Sequence, residues 1–163
     1  MRDDRTYATV IAFFATALYL ALIVAAFGLI SLATDTEVVA DPAVGPLVGP
    51  VMVGASALML LIFLIVLGTR VPAERQRVSP AVALGVAFAC YLVYAAAGAV
   101  AGSLADPGGP LRYVLFALAQ LGGWPAITAG IAAFVVTLLY QLVLVGRFRQ
   151  RGRPRWPWER DEE

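Results

Sequence analysis

The groups in this chain that could carry chemistry are few. Asp35, Glu37 and Asp41 stand close together with no Arg among them, and hard cations take oxygen ligands. Their spacing fits no EF-hand loop, however, and Asp41-Pro42 and Gly45-Pro46 mark the stretch as a turn-rich connection. A solvated acidic loop accounts for them. The single cysteine, Cys90, leaves no partner for an intramolecular disulfide and no CxxC redox pair. The absence of histidine removes His-based acid-base catalysis and His-ligated metal sites. With no GxSxG elbow and no P-loop, nucleophilic hydrolysis and nucleotide binding have no support either. The expectation is a protein that is not an enzyme, with no cofactor, no metal and no nucleic-acid partner.

What remains are uncharged polar groups set inside long apolar runs: Ser56, Cys90, Tyr91, Tyr94, Gln120, Thr128, Thr137, Tyr140 and Gln141. A proton-coupled exporter needs a carboxylate at mid-membrane, and these runs carry no Asp, Glu, Lys or Arg. Tyr91, Tyr94, Gly98 and Gly102 lie three or four residues apart and so share one helix face. Small residues on such a face let a neighbouring helix approach closely, which makes these four candidate helix-packing residues. The same face would line a pathway if the protein were an oligomeric transporter or channel. Thr128 and Thr137 can satisfy themselves on a carbonyl one turn back. Tyr140 and Gln141 stand near the inner boundary and suit an interfacial role, and Cys90 suits a small core position.

These residues are positioned by membrane spans. The chain is 61% hydrophobic with a mean hydropathy of +0.82, outside the usual range of soluble domains. Crossing about 30 Å of hydrocarbon takes roughly 20 apolar residues. Residues 7–33, 47–69, 79–105 and 124–146 each supply such a run. The first is too long for the apolar core of a signal peptide and reads as an uncleaved span. Within it Ala8 and Ala12, then Ala17, Ala21 and Ala25, repeat at four-residue spacing and could seat a neighbouring helix. Ser79-Pro80 is an N-cap followed by proline at the first helical position. The uncharged stretch from Tyr113 to Gly146 would extend about 50 Å as one straight helix, too long for an ordinary span. Gly122-Gly123-Trp124-Pro125 is the expected break, leaving residues 111–121 as a short outer interfacial helix or half-helix. A single kinked, tilted helix is the alternative. The expected fold class is an all-α membrane protein, one four-helix domain of two antiparallel hairpins.

Orientation follows from arginine. Every Arg except Arg112 falls at the N-terminus, in the loop after the second span or beyond Gly146, and basic residues mark the cytoplasmic side. Both termini are therefore expected inside a bacterial inner membrane. In the tail, residues 147–163, Arg147, Arg149, Arg151, Arg153 and Arg155 recur at every second position, followed by Trp156 and Trp158. These are candidate headgroup ligands for anionic lipid, carried on an extended segment because Gly152 and the prolines oppose a regular helix. The acidic end that follows reverses the sign.

The hydropathy profile, the use of Arg with no Lys, the high Ala content and the loop composition resemble those of uncharacterised four-span actinobacterial membrane proteins, grouped as domains of unknown function. The resemblance covers the whole chain and implies no active-site residue. The resulting expectation is a structural or accessory membrane protein that associates with itself or with a larger complex. Topology reporters fused at residues 40, 74, 108 and 160 should read outside, inside, outside, inside. A cytoplasmic signal at residue 108 would break the two-hairpin arrangement.

Overall fold

The computed structural model describes residues 2–35, 47–71, 77–105, 115 and 118–151. The acidic loop beyond Asp35, the loop containing Arg112, and the tail after Arg151 lie outside the described residues. So do residues 72–76 and most of the expected short helix 111–121. Four helices dominate: α1 (Arg2–Thr34), α2 (Val48–Arg70), α3 (Pro80–Ala105) and α4 (Trp124–Arg151). All four are long and apolar enough to cross a membrane, making this a multi-pass, all-α membrane protein.

The helix ends follow local chemistry. Asp35, with φ 51°, closes α1 in the left-handed conformation that Asp tolerates better than most residues. Pro50 sits in the first turn of α2, where its missing N–H costs little. Arg70 lies in the last turn of that helix. Val71 is then extended, at φ −88° and ψ 121°, because Pro72 follows it. α3 starts at Pro80, and the Ser79 carbonyl accepts from Ala83 N at 3.1 Å. The Ser79 hydroxyl faces Val82 N at a long 3.5 Å. Residues 118–122 are helical up to a bend at Gly123, and α4 begins at Trp124. The glycine pair and Pro125 thus interrupt the helix where expected. The α4 helix runs on through Arg151, so the tail is not extended from Arg147 onward. Arginine is a good helix former, and the strong breakers, Gly152 and Pro154, come only afterwards.

Helix α1 packs on α2 and α4, α3 packs on the same two, and α2 meets α4 across the diagonal. Each helix buries one stripe: Ala8, Ala12, Tyr19, Ile23 and Phe27 from α1, and Val48, Met52, Ser56, Leu60 and Leu64 from α2. The outer faces are apolar too, with Phe14, Val24 and Leu29 each about 70% exposed. A helix that is apolar all round and half exposed is matched to lipid. The alanine row of α1 divides. Ala8 and Ala12 are buried, while Ala17, Ala21 and Ala25 face outward. The step from 12 to 17 is five residues, which rotates the row about 140° round the helix and out of the bundle.

Gly68 marks a close helix approach. A Cβ there would overlap the Tyr140 hydroxyl and lie 2.8 Å from Ala8 Cβ, whereas at Gly54 it would meet nothing within 4 Å. Gly68→Ala should lower the thermal midpoint of the detergent-solubilised protein, at a cost of about 1–3 kcal/mol. Gly54→Ala should leave the midpoint unchanged or slightly raised. Equal midpoints for both variants would show that the Gly68 notch is not tight.

Candidate functional site

The bundle interior carries several hydroxyl groups, and most of them find a partner inside the protein. Tyr19, Ser56 and Cys90 meet at the centre of α1, α2 and α3, all fully buried. Ser56 Oγ donates to the Cys90 carbonyl at 3.2 Å, and Tyr19 Oη lies 2.6 Å from Ser56 Oγ. A serine has one proton to give. With that proton on the Cys90 carbonyl, Tyr19 is the donor to Ser56. The Cys90 thiol faces the Ser56 carbonyl at 3.8 Å, which closes a short ring of contacts between α2 and α3. Thr16, Thr128 and Thr137 satisfy themselves on carbonyls one turn back, those of Ala12, Trp124 and Ala133.

At the end of the bundle that carries Trp124, the bend creates a specific demand. In a continuous helix the carbonyl of Leu121 would accept from residue 125, but Pro125 has no N–H. Tyr91 Oη donates to the Leu121 carbonyl instead, at 2.6 Å. Gly130 brings α3 and α4 close beside this bond, with the position of its absent Cβ 3.4 Å from Tyr91 Cβ. Phe27 stands edge-on to Trp124, with ring centroids 5.4 Å apart, and to Tyr94, at 6.3 Å. Tyr94 is fully buried, and its hydroxyl has no hydrogen-bond partner among the described residues.

The opposite end is tied by α4. Tyr140 Oη shares its proton between the carbonyls of Leu64 at 2.9 Å and Ala8 at 3.1 Å, which joins α4 to α2 and α1. Gln141 Oε1 accepts from Ser79 N at 2.7 Å, capping one of the free N–H groups at the start of α3. The Arg147 guanidinium sits 3.6 Å from the centroid of the Tyr7 ring, a cation–π contact between the last turns of α4 and the first of α1. Between α2, α3 and α4 at this end is a cavity of about 260 Å³ bordered by Arg77, Ser79 and Gln141. A second, wholly apolar groove of about 390 Å³ runs outside α3 and α4 past Phe88, Tyr91 and Ile131.

Of the residues singled out from sequence, Tyr94, Gly98 and Gly102 are buried together on α3, while Tyr91 is half buried and faces α4. Arg147 packs on Tyr7. The side chains of Arg149, Arg151, Arg153, Arg155, Trp156 and Trp158 lie outside the described ones. Tyr140 and Gln141 are 1% and 6% exposed. They are interhelical ties near the boundary, and the interfacial role expected of them does not describe their contacts. Ser56 is among the polar groups the sequence singles out, though without a role, whereas Tyr19 and Gly68 are not singled out. Ser56 had a legible signal, as the one polar member of the four-residue row Val48, Met52, Ser56, Leu60, Leu64. Among the described residues no group of three His, Cys, Asp or Glu could hold a metal ion. The donors present are hydroxyl, amide and guanidinium groups, chemistry suited to holding carbonyls and anions.

Two tyrosines separate bonded from unbonded hydroxyls. Tyr140→Phe should destabilise the solubilised protein by about 1–2 kcal/mol, since interhelical hydrogen bonds in membrane proteins average about 0.6 kcal/mol and this one serves two carbonyls. Tyr94→Phe should be neutral or stabilising, because it removes a buried hydroxyl that makes no bond. Denaturant titration of both variants checks the contrast, and the reverse order would overturn the assignment of partners.

Comparison with curated proteins and with solved structures finds no match. A family described only as of unknown function, whose members carry the label DUF6121, matches residues 1–163. The chain, with its four long apolar helices, belongs to that family of unknown function.

Proposed function

We propose that this protein is a non-catalytic structural or accessory subunit of the bacterial inner membrane, associating with itself or with a larger membrane complex. On this reading the four helices form two antiparallel hairpins with both termini in the cytoplasm, where the arginine-rich tail meets anionic headgroups. An actinobacterial source suits the composition. The observation that carries the reading is the use made of the interior polar groups. The hydroxyls of Tyr19, Ser56, Tyr91 and Tyr140 all bond between chain segments, to carbonyls or to each other. Such groups fasten helices and leave little to line a water-filled path.

The second reading is a small oligomeric transporter or channel with its pathway along α3. One observation favours it: the buried, unbonded hydroxyl of Tyr94. Affinity purification from native membranes in mild detergent separates the readings. A subunit should bring down a partner at constant stoichiometry or elute as a defined homo-oligomer. A homo-oligomer without a partner that catalyses solute flux in proteoliposomes, with flux lost in Tyr94→Phe at unchanged protein yield, would overturn the subunit reading.

A further inference from the structure

We propose that the cavity between α2, α3 and α4 at the Ser79 end of the bundle is a binding site for a phosphate-type oxyanion, such as the headgroup phosphate of an anionic lipid. This goes beyond the subunit reading and does not depend on it. The cavity measures about 260 Å³, against roughly 30 Å³ for one water. It is lined by Leu67, Val71 and Val82 on the apolar side and by Arg77, Ser79 and Gln141 on the polar side, with no carboxylate among the described residues.

Gln141 is the independent sign of a ligand. It is 6% exposed, and its oxygen is used by Ser79 N. That bond fixes the amide orientation, because a backbone N–H can pair only with an acceptor. The two N–H donors of the same amide are then what Gln141 offers to the cavity it lines. Those donors meet no acceptor among the described residues and keep access to the cavity, so an occupant that bears acceptors can bind them there. A water or a carbonyl would serve the amide alone. Arg77 borders the same space and is paired with no carboxylate among the described residues. An anion serves both.

Phosphate fits better than a carboxylate, because its oxygens diverge toward donors arriving from separate segments, the 77–79 connection and α4. The Arg fork suits its geometry. Tyr140 also lines the cavity, but its hydroxyl is committed to Leu64 and Ala8, so it contributes only ring surface. The apolar wall suits the glycerol and first methylenes of a lipid.

The test uses the full chain carrying Arg149→Gln, Arg151→Gln, Arg153→Gln and Arg155→Gln, so that the tail does not mask the cavity. Native mass spectrometry in mild detergent would follow binding of phosphatidylglycerol and phosphatidylcholine, with inorganic phosphate as competitor. Phosphatidylglycerol should bind saturably and in preference. Arg77→Gln, at an exposed position, should weaken it by roughly fivefold or more, the scale of about 1 kcal/mol per Arg at an anionic surface. Gln141→Glu keeps the acceptor for Ser79 N while placing negative charge in the cavity, and it should weaken binding at least as much. Displacement by millimolar phosphate identifies the free ion as ligand, and resistance to it identifies the lipid. Equal binding of the two lipids, or an Arg77→Gln affinity equal to that of its parent, would overturn the site.

Discussion

No water is available in a bilayer to complete a hydrogen bond, so a polar group buried between helices needs its partner inside the bundle. The Pro125 bend shows the constraint most directly. Proline removes one donor from the start of α4, the Leu121 carbonyl is left over, and a tyrosine from α3 reaches across to it. Without that hydroxyl the bend would leave the Leu121 carbonyl without this partner, and the break between residues 122 and 125 would be harder to hold. Tyr91 is in mid-span for the same reason that Pro125 is tolerated there.

The same constraint explains why small residues and hydroxyls stand among the large apolar side chains of the interior, while many other large apolar side chains point outward. Lipid tails solvate Leu and Phe as well as a protein core does, so association between the helices has to come from close contact and directed bonds. Ala8, Gly68 and Gly130 provide the contact, and Tyr19, Ser56, Tyr91 and Tyr140 provide the bonds. The two kinds of residue occur together. Tyr140 reaches both Leu64 and Ala8 only because Gly68 has no side chain in the way.

Much of this was legible in the sequence and some was not, for a common reason. Run length, charge position and the glycine-proline break are properties of one segment read alone, and they exposed the four apolar helices and the bend before α4. The backbonding of Thr128 and Thr137 is local in the same sense, and the structure shows it. Contacts such as Tyr19 to Ser56, or Gln141 to Ser79, depend on how two helices are rotated against each other. A helix that is apolar on every face gives no pattern from which that rotation can be read. The alanine row of α1 shows the difficulty: a single five-residue step carried Ala17, Ala21 and Ala25 to the lipid side, and nothing in their identity signalled it. For the tail, the breakers at Gly152 and Pro154 are legible, but the helical preference of the arginines before them carries α4 on to Arg151.

The tie between Tyr140 and Ala8 joins residues 132 positions apart, and this bears on how the bundle is made. Membrane proteins are synthesised from the N-terminus, so α1, α2 and α3 are in place while the segment that will become α4 is still to come. Until it arrives, the gap beside Gly68 and the exposed N–H of Ser79 have only lipid or interfacial water to fill them. Seating of α4 then caps α3, fills the notch and joins both ends of the chain in one step. A nascent chain stopped before residue 140 would lack the Tyr140 and Gln141 bonds that hold α4 to Ala8, Leu64 and Ser79, and its first three helices would have no tie to a fourth at this end of the bundle.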